Sequence, residues 1–386
     1  MSGTFGFSLP TRIEVGPGLL GVTGKLVQTV TQGIRILIVT DPGIRRAGIA
    51  GEVVNSLQKT GFATEWFDRV EPNPKDKDCE TGGELAREFK ADAIVAVGGG
   101  SVLDAAKAIA LLQTHAGRIK DYEGRGKVVN EVTPIVAVPT TAGTGSEVTR
   151  SAVITDTGRK FKMTVKDVKL APKLAIVDPE TTYALPAGIT ASTGMDAFVH
   201  AIEAYTCRAA NPMSDAMALA AMEKIFPALR TVVSDGSNKK ARYDMMVGSL
   251  LAGIAFSHSD VAAVHCMAEA LGGLYDTPHG VANSIFLPVV TAFNVQADPV
   301  KHARVAKTCG LPVAGLPEAE AANLLVEELA KISQEIGIPA FSSLSYAKTE
   351  DFEQLAESAY LNGSTPDNCR EISKDDYLRL FEQSYI

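Results

Sequence analysis

Short apolar runs separated by amphipathic stretches dominate the first half of the chain. Arg35–Thr40 (RILIVT), Ala93–Val97 (AIVAV), Thr133–Val138 (TPIVAV) and Leu174–Val177 (LAIV) are almost continuously aliphatic, the pattern of strands buried on both faces of a parallel sheet. Between them, Gly51–Lys59 and Cys79–Lys90 carry helical spacing. This alternation predicts an α/β domain built on a parallel sheet. After about Leu185 the pattern changes. Long helical periods rich in Ala, Leu, Met and Glu take over at Ala191–Thr206, Asp215–Val233, Lys240–Phe256 and Glu318–Ile336. An all-α C-terminal domain is predicted, its helices forming a bundle. The punctuation Leu185–Pro186–Ala187–Gly188 sets the boundary, giving an α/β domain over 1–184 and a helical domain over 185–386.

Composition narrows the function classes. The chain has 386 residues, 46% of them hydrophobic and 21% charged, enough for two packed cores. A net charge of −8 disfavours nucleic acid and anionic membrane surfaces as partners, since both select clustered Lys and Arg. No stretch reaches the roughly 18 uninterrupted apolar residues of a membrane span. Met1–Thr11 lacks the basic-then-apolar layout of a secretory leader. The five cysteines are scattered and form no CxxC pair, which fits a reduced, cytoplasmic protein.

Three loops in the first half carry chemistry. After the strand AIVAV come Gly98–Gly99–Gly100–Ser101 and a helix beginning VLDAAK. Glycines at such a turn let backbone approach a phosphate, and the helix N-terminus offers free N–H groups and positive dipole. The same residues also read as a tight strand-to-helix turn, and Asp104 and Lys107 as a plain ion pair. The dinucleotide fingerprint GxGxxG is absent, because the acidic candidate Asp41 precedes the glycines instead of following them. Asp41 would accept from a ribose 2′-hydroxyl and repel a 2′-phosphate, favouring NAD over NADP; Asp41–Pro42–Gly43 reads equally as a turn. The third loop, Pro139–Thr140–Thr141–Ala142–Gly143–Thr144–Gly145–Ser146–Glu147, follows another strand and is rich in hydroxyls and glycine.

The second half contains a ligand set. Asp196 and His200, spaced i, i+4, share one helix face. His265 falls in a helix predicted over Ala262–Leu271, and His279 lies in Thr277–Pro278–His279–Gly280. One carboxylate and three imidazoles suit Fe²⁺, Zn²⁺, Mn²⁺ or Ni²⁺, and do not suit the all-oxygen sphere of Mg²⁺ or Ca²⁺. Each histidine alone reads more simply as a hydrogen-bonded helix residue. Of the chain's six histidines, four lie between His200 and His279, and the set favours a metal. His115 and His302 are expected to be exposed. A metal polarising an alcohol or aldehyde oxygen and a nicotinamide exchanging hydride would together make an alcohol dehydrogenase.

These motifs resemble the iron-containing (group III) alcohol dehydrogenase family, whose members include lactaldehyde reductases and 1,3-propanediol dehydrogenases. The resemblance runs through GGGSxxDxAK at Gly98–Lys107, PTTAGTGSEVT at Pro139–Thr149, GMDAxxHAxEAY at Gly194–Tyr205, AGxAF at Ala252–Phe256, LGGLYDTPHGVAN at Leu271–Asn283 and LPxVxxFN at Leu287–Asn294. It implies a Rossmann-like N-terminal domain and a helical C-terminal domain in a dehydroquinate synthase-like architecture. It also implies Asp196, His200, His265 and His279 as ligands of Fe²⁺, and a homodimer or larger assembly. For NAD it implies Asp41, Asn73, Gly99, Gly100, Ser101, Thr140, Thr141 and Thr144, with Thr149, Lys162, Thr181 and Leu185 along the remainder.

The stretch before and beyond the third ligand departs from the family pattern AFxNxxLGxxHxMAH. The usual asparagine is His258, a small residue is Asp260, and the second histidine is Glu269. Glu269 is therefore the candidate for proton transfer or for reading a polar or cationic substrate group, or else turns outward or pairs with a neighbouring cation. Ser151, Phe256, His258, Asp260 and Val261 are the candidate substrate pocket. The expected substrate is a small primary alcohol or its aldehyde. The alternatives are a charged or polar aldehyde, of 4-hydroxybutyrate or sulfonate type, and a non-catalytic assembly subunit with a vestigial site.

Overall fold

The computed structural model describes residues 4–385; Met1–Gly3, part of the segment inspected for a leader, lie outside it. The chain divides into two compact units. Residues 8–141 and 145–183 form an α/β unit, while 4–7, 142–144 and 184–385 belong to a helical unit.

The α/β unit contains β1 (Arg12–Val15), β2 (Arg35–Thr40), β3 (Ala63–Phe67), β4 (Ala93–Gly98), β5 (Gly124–Arg125), β6 (Ile135–Pro139), β7 (Ser151–Asp156), β8 (Phe161–Lys166) and β9 (Leu174–Val177). Its helices are α1 (Thr23–Val27), α2 (Pro42–Arg46), α3 (Ile49–Lys59), α4 (Asp76–Phe89) and α5 (Gly100–Thr114). Six strands form one sheet in the order β1-β9-β6-β4-β2-β3, every pair parallel. The aliphatic runs are explained by burial on both faces. Ile36, Ile38, Val95, Val97, Val136 and Val138 point into one core with α3. Leu37, Val39, Ile94 and Ala96 point into the other with α4 and α5, as the two-residue period of a strand requires. Register sets Thr40 opposite Val97 and Gly98 opposite Pro139. The segments beginning at Asp41, Gly99 and Thr140 therefore leave the sheet side by side, at its carboxyl edge. A small second sheet joins β5, β8 and β7, with β7 and β8 antiparallel.

The helical unit comprises α6 (Ala187–Thr206), α7 (Pro212–Ser234), α8 (Lys239–His258), α9 (Ala263–Tyr275), α10 (His279–Asn294), α11 (Pro299–Thr308), α12 (Glu318–Glu335), α13 (Phe352–Tyr360) and α14 (Lys374–Ser384). From Gly194 to Thr206 α6 is buried around its whole circumference, as a helix enclosed by neighbours must be. Among the described residues no single helix is long and apolar enough to cross a membrane.

Two expectations are corrected. His115 and His302 are buried. His115 Nε2 accepts from the Asn130 backbone N–H at 3.0 Å, and His302 Nδ1 donates to the Asp298 carbonyl at 2.7 Å. Polar neighbours along the chain do not report burial here: His302 lies on the inward face of the amphipathic α11, and His115 directly follows α5, which is buried along most of its length.

Gly24 in α1 lies against α3, where an added Cβ would come within 2.4 Å of the Ser56 carbonyl oxygen. Backbone cannot yield there, so Gly24→Ala is expected to cost about 1–3 kcal/mol in urea unfolding. A loss within measurement error would show that α1 does not dock this closely.

Candidate metal centre

α6 supplies three acidic or imidazole side chains to one face. Asp196, His200 and Glu203 follow at spacings of four and three, and all are almost fully buried. His265 comes from the first turn of α9 and His279 opens α10. Gly280 lets α10 begin hard against α6; a Cβ there would stand 2.5 Å from the Ser192 carbonyl oxygen. Asp196, His200, His265 and His279 each offer one ligand atom, and these four atoms lie within 4.8 Å of one another. The Asp196 carboxylate is 3.9 Å from His200 Nδ1 and 3.7 Å from His279 Nε2.

Glu203 organises the third ligand. One carboxylate oxygen accepts from His265 Nδ1 at 2.6 Å and from the Ala262 N–H at 2.8 Å. The other accepts from the Val264 N–H at 2.7 Å. The same side chain thus caps α9 at its positive end and fixes the His265 tautomer, leaving Nε2 as the free lone pair. Asn283, one turn into α10, donates to Asp196 at 2.6 Å and lies 3.1 Å from His279 Nε2. Phe256 stacks on His200, with ring centroids 4.3 Å apart. Glu203 and Asn283 lie within the family-like motifs GMDAxxHAxEAY and LGGLYDTPHGVAN, which assign them no role. The spacing of Glu203 behind His200 was the available signal, but which helix it faced was not readable.

The electrostatics favour neutral, ligating imidazole at His200. Burial pushes His200 down to about 3, opposed by Asp196 and reinforced by His265 and His279. Burial also lowers His265, but the hydrogen bond and charge of Glu203, with Asp196 and Glu269, carry it above its ordinary value. His200 Nδ1 and His265 Nε2 are buried with no hydrogen-bond partner. Leaving such atoms unsatisfied is costly, and a divalent cation within this nitrogen-and-carboxylate set satisfies them. The residues fit a transition metal.

Of the other pocket candidates, His258, Asp260 and Val261 lie at the end of α8 and in the segment joining it to α9, whereas Ser151 opens β7 in the α/β unit. His258 ends α8, with its ring stacked on Phe7 at 4.1 Å and Nδ1 on the Ile254 carbonyl at 2.8 Å. Asp260 is buried and accepts from Ser364 Oγ at 3.1 Å; Val261 follows it, half-buried. Glu269 stands one turn beyond His265 and accepts from the Asn362 amide at 2.6 Å.

In the α/β unit, Asp41 caps α2, accepting from the Gly43 and Ile44 N–H groups at 2.7 and 2.9 Å. Gly99 caps α5, followed by Gly100 and Ser101 in its first turn, and a Cβ on Gly99 would sit 3.2 Å from Thr141. Thr140 is fully buried and its hydroxyl has no partner. That orphan hydroxyl and the open helix N-terminus suit an anionic nucleotide. Asn73 holds a left-handed φ of 51°, while its N–H donates to Ser101 Oγ and its amide oxygen accepts from Lys162 Nζ at 2.8 Å. Such a conformation in a non-glycine residue persists only when its surroundings hold it. Thr149 and Ser151 both accept from Lys107, and the Thr181 hydroxyl is spent on the Pro139 and Asp178 carbonyls. Thr144 and Leu185 fall in the helical unit, where the Leu185 carbonyl accepts from Arg242 at 3.2 Å.

Residues 10–179 match the family described as iron-containing alcohol dehydrogenase, and residues 190–385 match its C-terminal family. The 1,3-propanediol dehydrogenase of Citrobacter freundii is 41% identical over 99% of both chains. The NAD-dependent methanol dehydrogenase of Bacillus methanolicus is 38% identical, covering 98% of this chain and 99% of that one. Among solved structures, a 1,3-propanediol oxidoreductase superposes with a TM-score of 0.96 at 40% identity, over 99% of this chain and all of the other.

Two outcomes follow from the buried carboxylates. Removing the Glu203 clasp by Glu203→Ala is expected to weaken Zn²⁺ or Fe²⁺ affinity about 10- to 100-fold in a chelator competition; wild-type affinity would show that His265 is held by other means. Burial pushes Glu147 up to about 7, against its own backbone N–H and Lys107. The folded protein therefore holds this proton more tightly than the unfolded chain does. Its stabilising contribution is complete below the ordinary value of 4.5 and is lost as pH rises through about 7. Glu147→Gln escapes that loss, so its unfolding free energy relative to wild type should rise by at most about 3 kcal/mol across this window. A flat difference would show that Glu147 is ionised throughout.

Proposed function

The chain belongs to the iron-containing alcohol dehydrogenase family, and from that premise we propose that it interconverts a small primary alcohol and its aldehyde using NAD(H). It is an oxidoreductase acting on alcohols. The observation that carries the reading is the buried convergence of Asp196, His200, His265 and His279, which would hold the divalent metal, iron in this family. When bound, the metal supplies Lewis acidity toward a substrate oxygen and the nicotinamide supplies the two-electron exchange.

The protein's own groups do the rest. Glu203 keeps His265 in the tautomer that presents Nε2. Asn283 orients the Asp196 carboxylate, and Phe256 covers one face of His200. The α5 N-terminus and the Thr140 hydroxyl would receive phosphate oxygens of the cofactor. The Asp41 carboxylate disfavours a 2′-phosphate by charge, which supports NAD over NADP. Five free cysteines, four of them buried, support a reducing, cytoplasmic setting.

Purified protein should carry metal and oxidise NADH with short aldehydes, and both properties should fall to background in His265→Ala or after exhaustive chelation. Turnover that survives metal removal would sink this reading. A preparation with neither metal nor NADH affinity would favour an assembly subunit with a vestigial site.

A further inference from the structure

α5 carries a polar stripe down one face. Ser101, Asp104 and Lys107 follow one another at intervals of three, so their side chains lie along one side of the helix. Ser101 holds the Asn73 segment, while Asp104 and Lys107 together hold Ser146 and the start of β7. Ser101 Oγ accepts from the Asn73 N–H. Asp104 accepts from Ser146 Oγ at 2.6 Å and from the Val153 N–H at 3.0 Å. Lys107 donates to Ser146 Oγ at 2.6 Å, Thr149 Oγ1 at 2.9 Å and the Ser151 carbonyl at 2.7 Å.

The Lys107 ammonium is 1% exposed; these three short hydrogen bonds engage its donors, and the Asp104 carboxylate pairs with it at 3.5 Å. Burying a charge this deeply is expensive even when it is paired, and an apolar side chain would fill the same space. Burial alone drives the Lys107 proton affinity down, with Asp104 and Glu147 opposing the fall. What the charge adds is direction. It ties Ser146–Ser151, the end of the loop that begins at Thr140, to the helix whose first turn is Gly100–Ser101.

We propose that Lys107 is the positioning residue of the NAD site, setting the spacing between the two phosphate-binding segments by clamping the end of the Thr140 loop onto α5. The inference rests on the assignment of NAD to the α/β unit. Lys107 does not touch the cofactor. It acts through Ser146, Thr149 and Ser151, and Asp104 supports it by pairing with the ammonium and by orienting the Ser146 hydroxyl.

The test is NADH affinity, read by fluorescence titration of the metal-loaded protein, for Lys107→Met and Ser146→Ala. Lys107→Met should raise the NADH Kd about 10- to 100-fold, the range expected for losing hydrogen bonds to a buried charge. Metal content should stay at the wild-type level, and kcat at saturating NADH should fall by less than Kd rises. Ser146→Ala removes one of the three ties and should raise Kd by a smaller factor; it decides the matter if Lys107→Met fails to fold. A lower Tm with wild-type Kd in either folded variant would make Lys107 a packing residue and overturn the proposal. Wild-type protein that binds no NADH would remove it together with the assigned cofactor. Intact NADH binding without aldehyde reduction would overturn the proposed reaction and leave the Kd comparison decisive.

Discussion

The metal centre depends on one buried carboxylate. Glu203 accepts three hydrogen bonds, from His265 Nδ1 and from the Ala262 and Val264 N–H groups. A carboxylate with 3% exposure survives there because all its donors converge at the positive end of a helix. The consequence is mechanical as well as electrostatic. α6 already carries Asp196 and His200, and Glu203 couples that helix to α9, so that the position and tautomer of His265 are set by the same contact. Gly280 completes the arrangement by letting α10 approach α6 closely enough for His279 to reach Asp196. Three helices separated in sequence are thereby registered to within the size of one cation.

The α/β unit uses the same physics with the opposite sign. There the buried group is an ammonium, Lys107, and the converging partners are acceptors. Each unit thus contains a desolvated charge whose hydrogen bonds are fully matched, beside the residues that would meet a ligand. Such networks stabilise little by themselves, because desolvation offsets much of their Coulombic gain. Their value lies in fixing geometry: a mismatched arrangement would strand a buried charge. Asn73 belongs to the same scheme, its left-handed backbone held by Ser101 and Lys162.

Departures from the family pattern gather around α8 and α9. His258, Asp260 and Glu269 are each engaged by protein groups, namely Ile254, Ser364 and Asn362. Glu269 still acts on the centre through its charge, since it helps raise His265. The Asn362–Ser364 segment holds both carboxylates, so Asp260 and Glu269 form one connected arrangement.

Much was legible in the chain itself. Val/Ile runs marked β2, β4, β6 and β9, because strands covered on both faces must be aliphatic throughout. The i, i+4 pair Asp196 and His200 marked a helix face, because helical periodicity is local. β1, β3 and the β7–β8 hairpin were missed, since short or half-exposed strands lack a continuous apolar signature. The burial of His115 and His302 was missed for a related reason: polar neighbours in sequence do not say which face a helix presents inward. Nothing local could have linked Glu203 to His265, or Lys107 to Ser146, Thr149 and Ser151. Those partners are far apart along the chain, and only the packing of one helix against another element brings them within hydrogen-bond reach. The sequence by itself determined which residues could carry the chemistry; the tertiary structure decided how they are held, because buried charge is stable only where distant donors and acceptors converge.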